Sequence, residues 1–282
     1  MLKRTGGYLT LRNPADAPAA SSELESLGYT LLHRVFTSDE VDSLRQDITE
    51  IFDRLPRDDR TAGLRDPGED DAFRYEMLNR SAACQAAIGH RAILDVIEPL
   101  LGEDCHVIAN TAWRNPPKPN DPAQGWHVDG GPHVPMPEGV DWPENIPHPV
   151  FAIGAHLFLQ DLGEDDGPTG VIPGSHRSGR FPPRSEVMNP ALTYKGQGAV
   201  PLLARAGDVA LFVSDVWHRR LPTGASDRGR FFLQCHYARR DIAQRIRTTA
   251  QTNHLSELAI ERATTGRGRT LIGLHQPGFY DG

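Results

Sequence analysis

Between residues 106 and 240 the chain is a succession of short apolar runs broken by glycine and proline, and this texture restricts the fold more than any other feature. The runs are Val107–Arg114, Val150–Asp161, Gly170–Ile172, Ala199–Leu203, Asp208–Val213 and Arg230–Tyr237. The clearest is Val150–Asp161, where Ile153, Ala155, Leu157 and Leu159 alternate with His156, Phe158 and Gln160. A period of two is that of a strand with two unlike faces. Many of the 27 glycines and 23 prolines fall between the runs, as turn residues do. Short strands with this punctuation predict an all-β sandwich or barrel core.

Upstream the period changes. Residues 1–22 end in Ala-Pro-Ala-Ala-Ser-Ser and read as a loose leader. A short strand is expected at Tyr29–Leu32. Thr37-Ser-Asp-Glu40 then has the form of a capping box. Val41, Leu44, Ile48, Ile51 and Phe52 follow at helical spacing. Residues 56–72 read as an exposed charged loop, and Ser81–Leu101 as one helix or two, stopped by Gly102. The expected organisation is one domain over 23–282. It has a helical part at about 36–102, a β core at about 106–240 and an extension at 241–282 carrying Arg245, Arg247, Arg262, Arg267 and Arg269.

The formal net charge is −7, which gives no electrostatic reason to hold nucleic acid. No basic block points to an anionic membrane, and no run approaches the ~18 apolar residues of a membrane span. Cys84, Cys105 and Cys235 are sparse and odd in number, which suits a reducing compartment better than a disulfide framework. Lys3 and Arg4 are not followed by an apolar stretch, so no secretory signal is expected. The expected setting is cytoplasmic, with a small-molecule substrate; oligomeric state is not legible.

The chemistry-bearing residues lie in Gly125-Trp-His-Val-Asp-Gly-Gly131 and at the end of Val209–His218. On a strand His127 and Asp129 leave one face together. His-x-Asp alone is a common pattern. With His218 it becomes two imidazoles and one carboxylate, a set that leaves open positions on an octahedral ion and suits non-haem iron(II).

The sequence resembles the phytanoyl-CoA dioxygenase family of iron(II)/2-oxoglutarate oxygenases over roughly residues 25–240. The resemblance rests on five stretches in family order. They are Leu27–Leu32 with the helix start that follows, Gly125–Gly130, Gly167-Pro-Thr-Gly-Val-Ile-Pro-Gly-Ser-His176, Ala206–Phe212 running to His218, and Ser226–Arg230 leading to Tyr237. It implies a double-stranded β-helix (jelly roll) core with N-terminal flanking helices. It also implies Fe(II) on His127, Asp129 and His218, with 2-oxoglutarate and O2 as co-substrates. An arginine about a dozen residues after the distal histidine should hold the far carboxylate of 2-oxoglutarate. Arg228 and Arg230 compete for that role, and alignment and strand parity favour Arg230. Asn110 and His156 are implied as further co-substrate contacts, although relatives often carry Trp where His156 stands, and a core histidine is an equal reading.

The implied reaction hydroxylates an unactivated C–H bond of a small metabolite, releasing succinate and CO2. Relatives that halogenate lack the carboxylate ligand, so Asp129 points to oxygenation. Two other classes stay in view: a cupin-like metal-dependent isomerase or epimerase, and a jelly-roll binding protein without catalysis. The first would not need Arg230, and the complete triad argues against the second. His176 and Asp208 read as structural, Trp126 and Trp217 as walls, and Cys235 as packing. The Pro-rich segment 130–149, with His133, Trp142 and His148, reads equally as a lid or a fixed cover. Arg177 and Arg180 meet either an anion or solvent.

Overall fold

The computed structural model describes residues 18–55, 72–122, 124–243 and 255–276, together with the backbone of 2–5 and 8–11. The first part of the chain contains strands β1 (Leu2–Thr5) and β2 (Tyr8–Leu11), helix α1 (Ala19–Leu27), strand β3 (Tyr29–Leu32) and helix α2 (Ser38–Arg54). Next come β4 (Phe73–Tyr75) and the helices α3 (Met77–Arg80), α4 (Ala82–Ile88) and α5 (Arg91–Leu101). The β-rich part holds β5 (His106–Asn115), β6 (Ala152–Phe158), β7 (Thr169–Val171), β8 (Val200–Pro201), β9 (Val209–Val213), β10 (His218–Arg220) and β11 (Arg230–Ala238). Two short helices, α6 (Glu257–Arg262) and α7 (Gly266–Leu271), end the described chain.

The fold is the expected jelly roll. One antiparallel sheet has the order β3-β9-β6-β11-β5-β4 and faces a smaller sheet, β10-β7-β8. Period-2 alternation decides what lies on each side of the large sheet. Ile153, Ala155 and Leu157 of β6, Val209, Leu211 and Val213 of β9, and Leu233, Cys235 and Tyr237 of β11 join the main core, which includes Leu44, Ile48, Ile93 and Ile97 of the helices. The intervening residues Phe158, Ala210, Phe212 and Phe232 pack with Val171 and Val216 inside the jelly roll. The site is built on that inner face.

Tyr237 fastens the two layers. Its ring is fully buried, and its hydroxyl donates to the Ile88 carbonyl at 2.8 Å. Tyr237→Phe should lower stability by about 1–2 kcal/mol, because a buried carbonyl loses its partner. Urea unfolding measures this, and a change near zero would show that the bond does not hold the helices to the sheet.

The capping box at Thr37 and Glu40 forms as expected. The Ser81–Leu101 segment is two helices, because Gly89 ends α4 and His90 caps α5. Among the described residues, the stretch read as a loose leader, 1–22, holds regular structure. Residues 2–11 include a β-hairpin, and Ala19–Leu27 is a helix with Leu24 fully buried. It stops at Gly28, where φ is +84° and an added Cβ would meet the His176 ring at 2.6 Å. Most of the expected 56–72 loop, and Arg245 and Arg247, lie outside the described residues. Among the described residues no helix is long and apolar enough to cross a membrane.

Candidate metal centre

His127 and His218 are brought together by backbone pairing. Each amide donates to the other's carbonyl, at 2.9 and 3.0 Å, so the two imidazoles are cross-strand neighbours with ring centroids 4.3 Å apart. Asp129, two residues on, is held by its amide on the Ser214 carbonyl at 3.0 Å. Its Oδ1 lies 3.4 Å from His218 Nε2 and 4.0 Å from His127 Nε2. The three donor atoms all fall within 4.8 Å of one another.

The donor chemistry fits a divalent cation. Nδ1 of His127 is 2.9 Å from the Gly125 carbonyl, and Nδ1 of His218 is 2.9 Å from the Val216 carbonyl. A carbonyl only accepts, so each Nδ1 carries a proton, and with an ion bound each Nε2 would turn a lone pair to the centre. Burial opposes the charge on Asp129, but the imidazoles of His218 and His236 outweigh it and hold the carboxyl well below its usual range. The set is closed on one side and open on the other, because the His127 side chain is 42% exposed and that of His218 only 6%.

The triad lines one part of a cavity of about 150 Å³ that also reaches His156, Thr169, Phe212, Arg220, Arg230, Phe232 and Gln234. Arg230 is 7% exposed, and among the described residues its hydrogen-bond partners include no carboxylate. Nη1 donates to the Gly167 carbonyl and Nη2 to Asn115 Oδ1, both at a long 3.3 Å, while Nε has no partner. Burial, with Arg220 nearby, pushes its pKa down to about 9, so it stays charged at neutral pH. Arg228 is committed elsewhere, gripping Asp166 through Nη2 at 2.5 Å and Nε at 3.2 Å. The geometry therefore separates the two arginines as strand parity does.

His156 reaches the cavity wall. Its ring packs 4.5 Å from Phe232 and 5.0 Å from Phe212, and burial with the charge of Arg230 keeps it neutral. Asn110 is not brought to the site, which corrects the expectation for it. It pairs with Cys235, whose neighbours on that face belong to the helix-side core, and its Nδ2 donates to the Gln234 carbonyl. Trp113, at the other parity of β5, lines the cavity, and Asn115 on the same face accepts from Arg230.

His236 was not singled out by its sequence, yet it touches the centre. Its Nε2 lies 2.8 Å from Asp129 Oδ2, leaving Oδ1 for the ion. Gly154 makes room for it, since a Cβ there would meet Phe212 at 2.7 Å and His236 Nε2 at 3.1 Å. The available signal was parity: Arg230, Phe232, Gln234 and His236 share one face of β11. His236→Leu should weaken Mn(II) or Fe(II) binding about 10- to 100-fold, as loss of a partner behind a ligand does. Anaerobic metal titration reads this, and unchanged affinity would remove His236 from the site.

The remaining candidates are structural. His176 Nε2 bonds the Glu25 carbonyl at 2.9 Å, and Asp208 accepts from the amides of Arg34 and Arg205. Trp126 and Trp217 pack together with Ile172 and Leu192, their indoles donating to Asn189 and Arg180 carbonyls. Arg180 donates to the carbonyls of Pro137 and Val140 and to Asp141, and Arg177 to that of Pro143. His133 is clamped on Asp215 through its amide and its ring. The 130–149 segment is thus braced by its neighbours along its length. Arg262 and Arg267 of the C-terminal segment bond Gln85 and Glu98, away from the metal centre.

The phytanoyl-CoA dioxygenase family model matches residues 24–228. The chain belongs to this family. The chain is 26% identical over 153 residues to dioxygenase cdmD of Talaromyces verruculosus, a match covering 52% of this chain and 42% of that protein. The chain therefore spans less than half of that relative's length. Solved structures share the fold. HygX of Streptomyces hygroscopicus, with nickel and 2-oxoglutarate bound, superposes with a TM-score of 0.59 at 14% identity, covering 81% of this chain and 88% of that one. The epimerase SnoN, in complex with Fe3+, alpha ketoglutarate and nogalamycin RO, gives 0.59 at 18%, covering 84% and 89%. EctD of S. alaskensis in its apoform gives 0.59 at 23%, covering 81% and 80%. The Gly167–His176 stretch and both ligand segments of this family member fall inside the matched region.

Proposed function

We propose that this protein is an iron(II)- and 2-oxoglutarate-dependent dioxygenase that hydroxylates an unactivated C–H bond of a small metabolite. One observation carries the reading. The cavity that holds the His127–Asp129–His218 set also holds Arg230, a buried guanidinium with no carboxylate of its own. The triad would hold the metal, and Arg230 the far carboxylate of 2-oxoglutarate. Bound together, metal and co-substrate supply the oxidising power for C–H cleavage.

The chain's residues do the positioning. The Nδ1 contacts fix both imidazoles, and His236 fixes Asp129 as a ligand through one oxygen. Phe212 and Phe232 exclude water between the triad and Arg230. His156, neutral and facing the cavity, serves the co-substrate as an uncharged hydrogen-bonding partner. Asp129 would fill the ligand position that stands free for halide in relatives without the carboxylate, so chloride is not incorporated.

The test is anaerobic addition of Fe(II) and 2-oxoglutarate. A weak visible charge-transfer band is expected, lost in Arg230→Ala and in His218→Ala. No band in the wild type, or an undiminished band in either variant, overturns the assignment. Similarity to SnoN favours a second reading, stereochemical inversion at a C–H carbon. Product mass separates the two: hydroxylation adds an oxygen atom and inversion adds none.

A further inference from the structure

The end of the cavity that carries Arg230 holds a second guanidinium. Arg220 stands two residues after His218 on β10, so both side chains leave the inner face. It pairs across the small sheet with Thr169, and both line the cavity. Its side chain is 9% exposed, and neither Nε nor Nη2 has a hydrogen-bond partner. Gly167 ties it to Arg230. A Cβ on Gly167 would lie 2.8 Å from Arg220 Nε, and the Gly167 carbonyl accepts from Arg230 Nη1 at 3.3 Å.

The acid nearest to Arg220 does not satisfy it. Asp227 Oδ2 is 3.9 Å from Nη2, beyond hydrogen-bond distance. That carboxylate already accepts from the Lys118 amide at 2.6 Å and the Gly229 amide at 2.8 Å. Two cations thus face one cavity end with one acid between them, which leaves net positive charge out of water. Buried charge in that condition is costly and calls for a counter-charge. A carboxylate has about four lone-pair sites, enough for two guanidinium groups.

We infer that Arg220 and Arg230 together clamp the far carboxylate of the 2-oxo acid co-substrate, so that this cavity selects a 2-oxo diacid over a 2-oxo monoacid. The inference rests on the dioxygenase reading. It adds that Arg230 does not act alone and that the discrimination lies at the far end.

The test compares two ligands on Mn(II)-loaded protein by calorimetry: 2-oxoglutarate, and 2-oxopentanoate, which has the same chain length and no far carboxylate. Arg220→Ala should weaken 2-oxoglutarate about 10- to 100-fold, the worth of a charge-assisted bond. It should leave 2-oxopentanoate and Mn(II) binding unchanged. Arg220→Lys, which keeps the charge and loses the planar fork, should fall between alanine and wild type. Unchanged 2-oxoglutarate binding in Arg220→Ala overturns the clamp. So does equal weakening of both acids, which marks a structural role, or a lysine variant no better than alanine. If wild type binds Mn(II) but neither acid, the dioxygenase reading itself has failed. If wild type and Arg230→Ala differ while Arg220→Ala does not, only the clamp has failed.

Discussion

His218→Ala is expected to remove metal binding at working concentrations, and oxygen-dependent turnover with it. The residue supplies the most deeply buried ligand atom of the three, 3.4 Å from Asp129 Oδ1. A four-ligand zinc site is worth roughly 10–16 kcal/mol, so one protein ligand is worth about 3–4 kcal/mol. That is on the order of 10²–10³-fold in affinity. The remaining pair, His127 and Asp129, sits at the exposed side and cannot enclose an ion. The fold should survive, because the bonds that pair residue 218 with residue 127 are backbone bonds. Equilibrium dialysis with Mn(II), beside a melt of the metal-free variant, separates the two effects. A folded variant with wild-type metal affinity would remove the triad as the metal centre.

Arg230→Met should act with opposite signs on stability and on binding. In the metal-free protein the guanidinium is buried, long in both of its hydrogen bonds and without a carboxylate. Replacing such a charge by an apolar side chain of similar length is neutral or stabilising by about 1–4 kcal/mol. At about 2 °C or more per kcal/mol in a chain of this size, the melt should rise by a few degrees. Binding of 2-oxoglutarate should fall about 10²-fold, as when one partner of a buried charge pair is truncated. The sign with pH follows from the pKa of about 9. Between there and the usual arginine range the unfolded chain holds more protons than the folded one, so wild-type stability rises with pH. The gap between wild type and variant should therefore narrow as pH climbs through about 9. A variant that loses stability and keeps co-substrate affinity would make Arg230 a structural residue.

The sequence carried the β core because alternation and turn residues are local signals. Ile153, Ala155, Leu157 and Leu159 face the helices as their spacing predicts, and the capping box at Thr37 is where the pattern places it. The convergence of His127, Asp129 and His218 was legible from residue chemistry and order, and strand parity put Arg230 on the cavity face of β11. Asn110 was misplaced because the resemblance supplied a strand and not a face: within β5 it alternates with Trp113, and only the pairing with Cys235 shows that it turns to the helix side. His236 and Arg220 were missed for a related reason. Each lies two or more residues from a recognised residue on the same strand face, but its partner, Asp129 or Arg230, comes from a distant segment. The helix at Ala19–Leu27 escaped because its apolar content is low and only Leu24 and Ser21 are buried.

The two faces of β11 impose different rules on change. Leu233, Cys235 and Tyr237 are shared property with the helices, and altering them disturbs the whole molecule. Phe232 and Gln234 face only the cavity wall and its neighbours. A lineage or a selection experiment can therefore explore substrate preference at alternate positions of a single strand while the intervening positions keep the protein folded. Mutational tolerance along β11 should oscillate with the period of the strand itself. The same interleaving makes insertions unforgiving, because one added residue exchanges the reactive face for the supporting one.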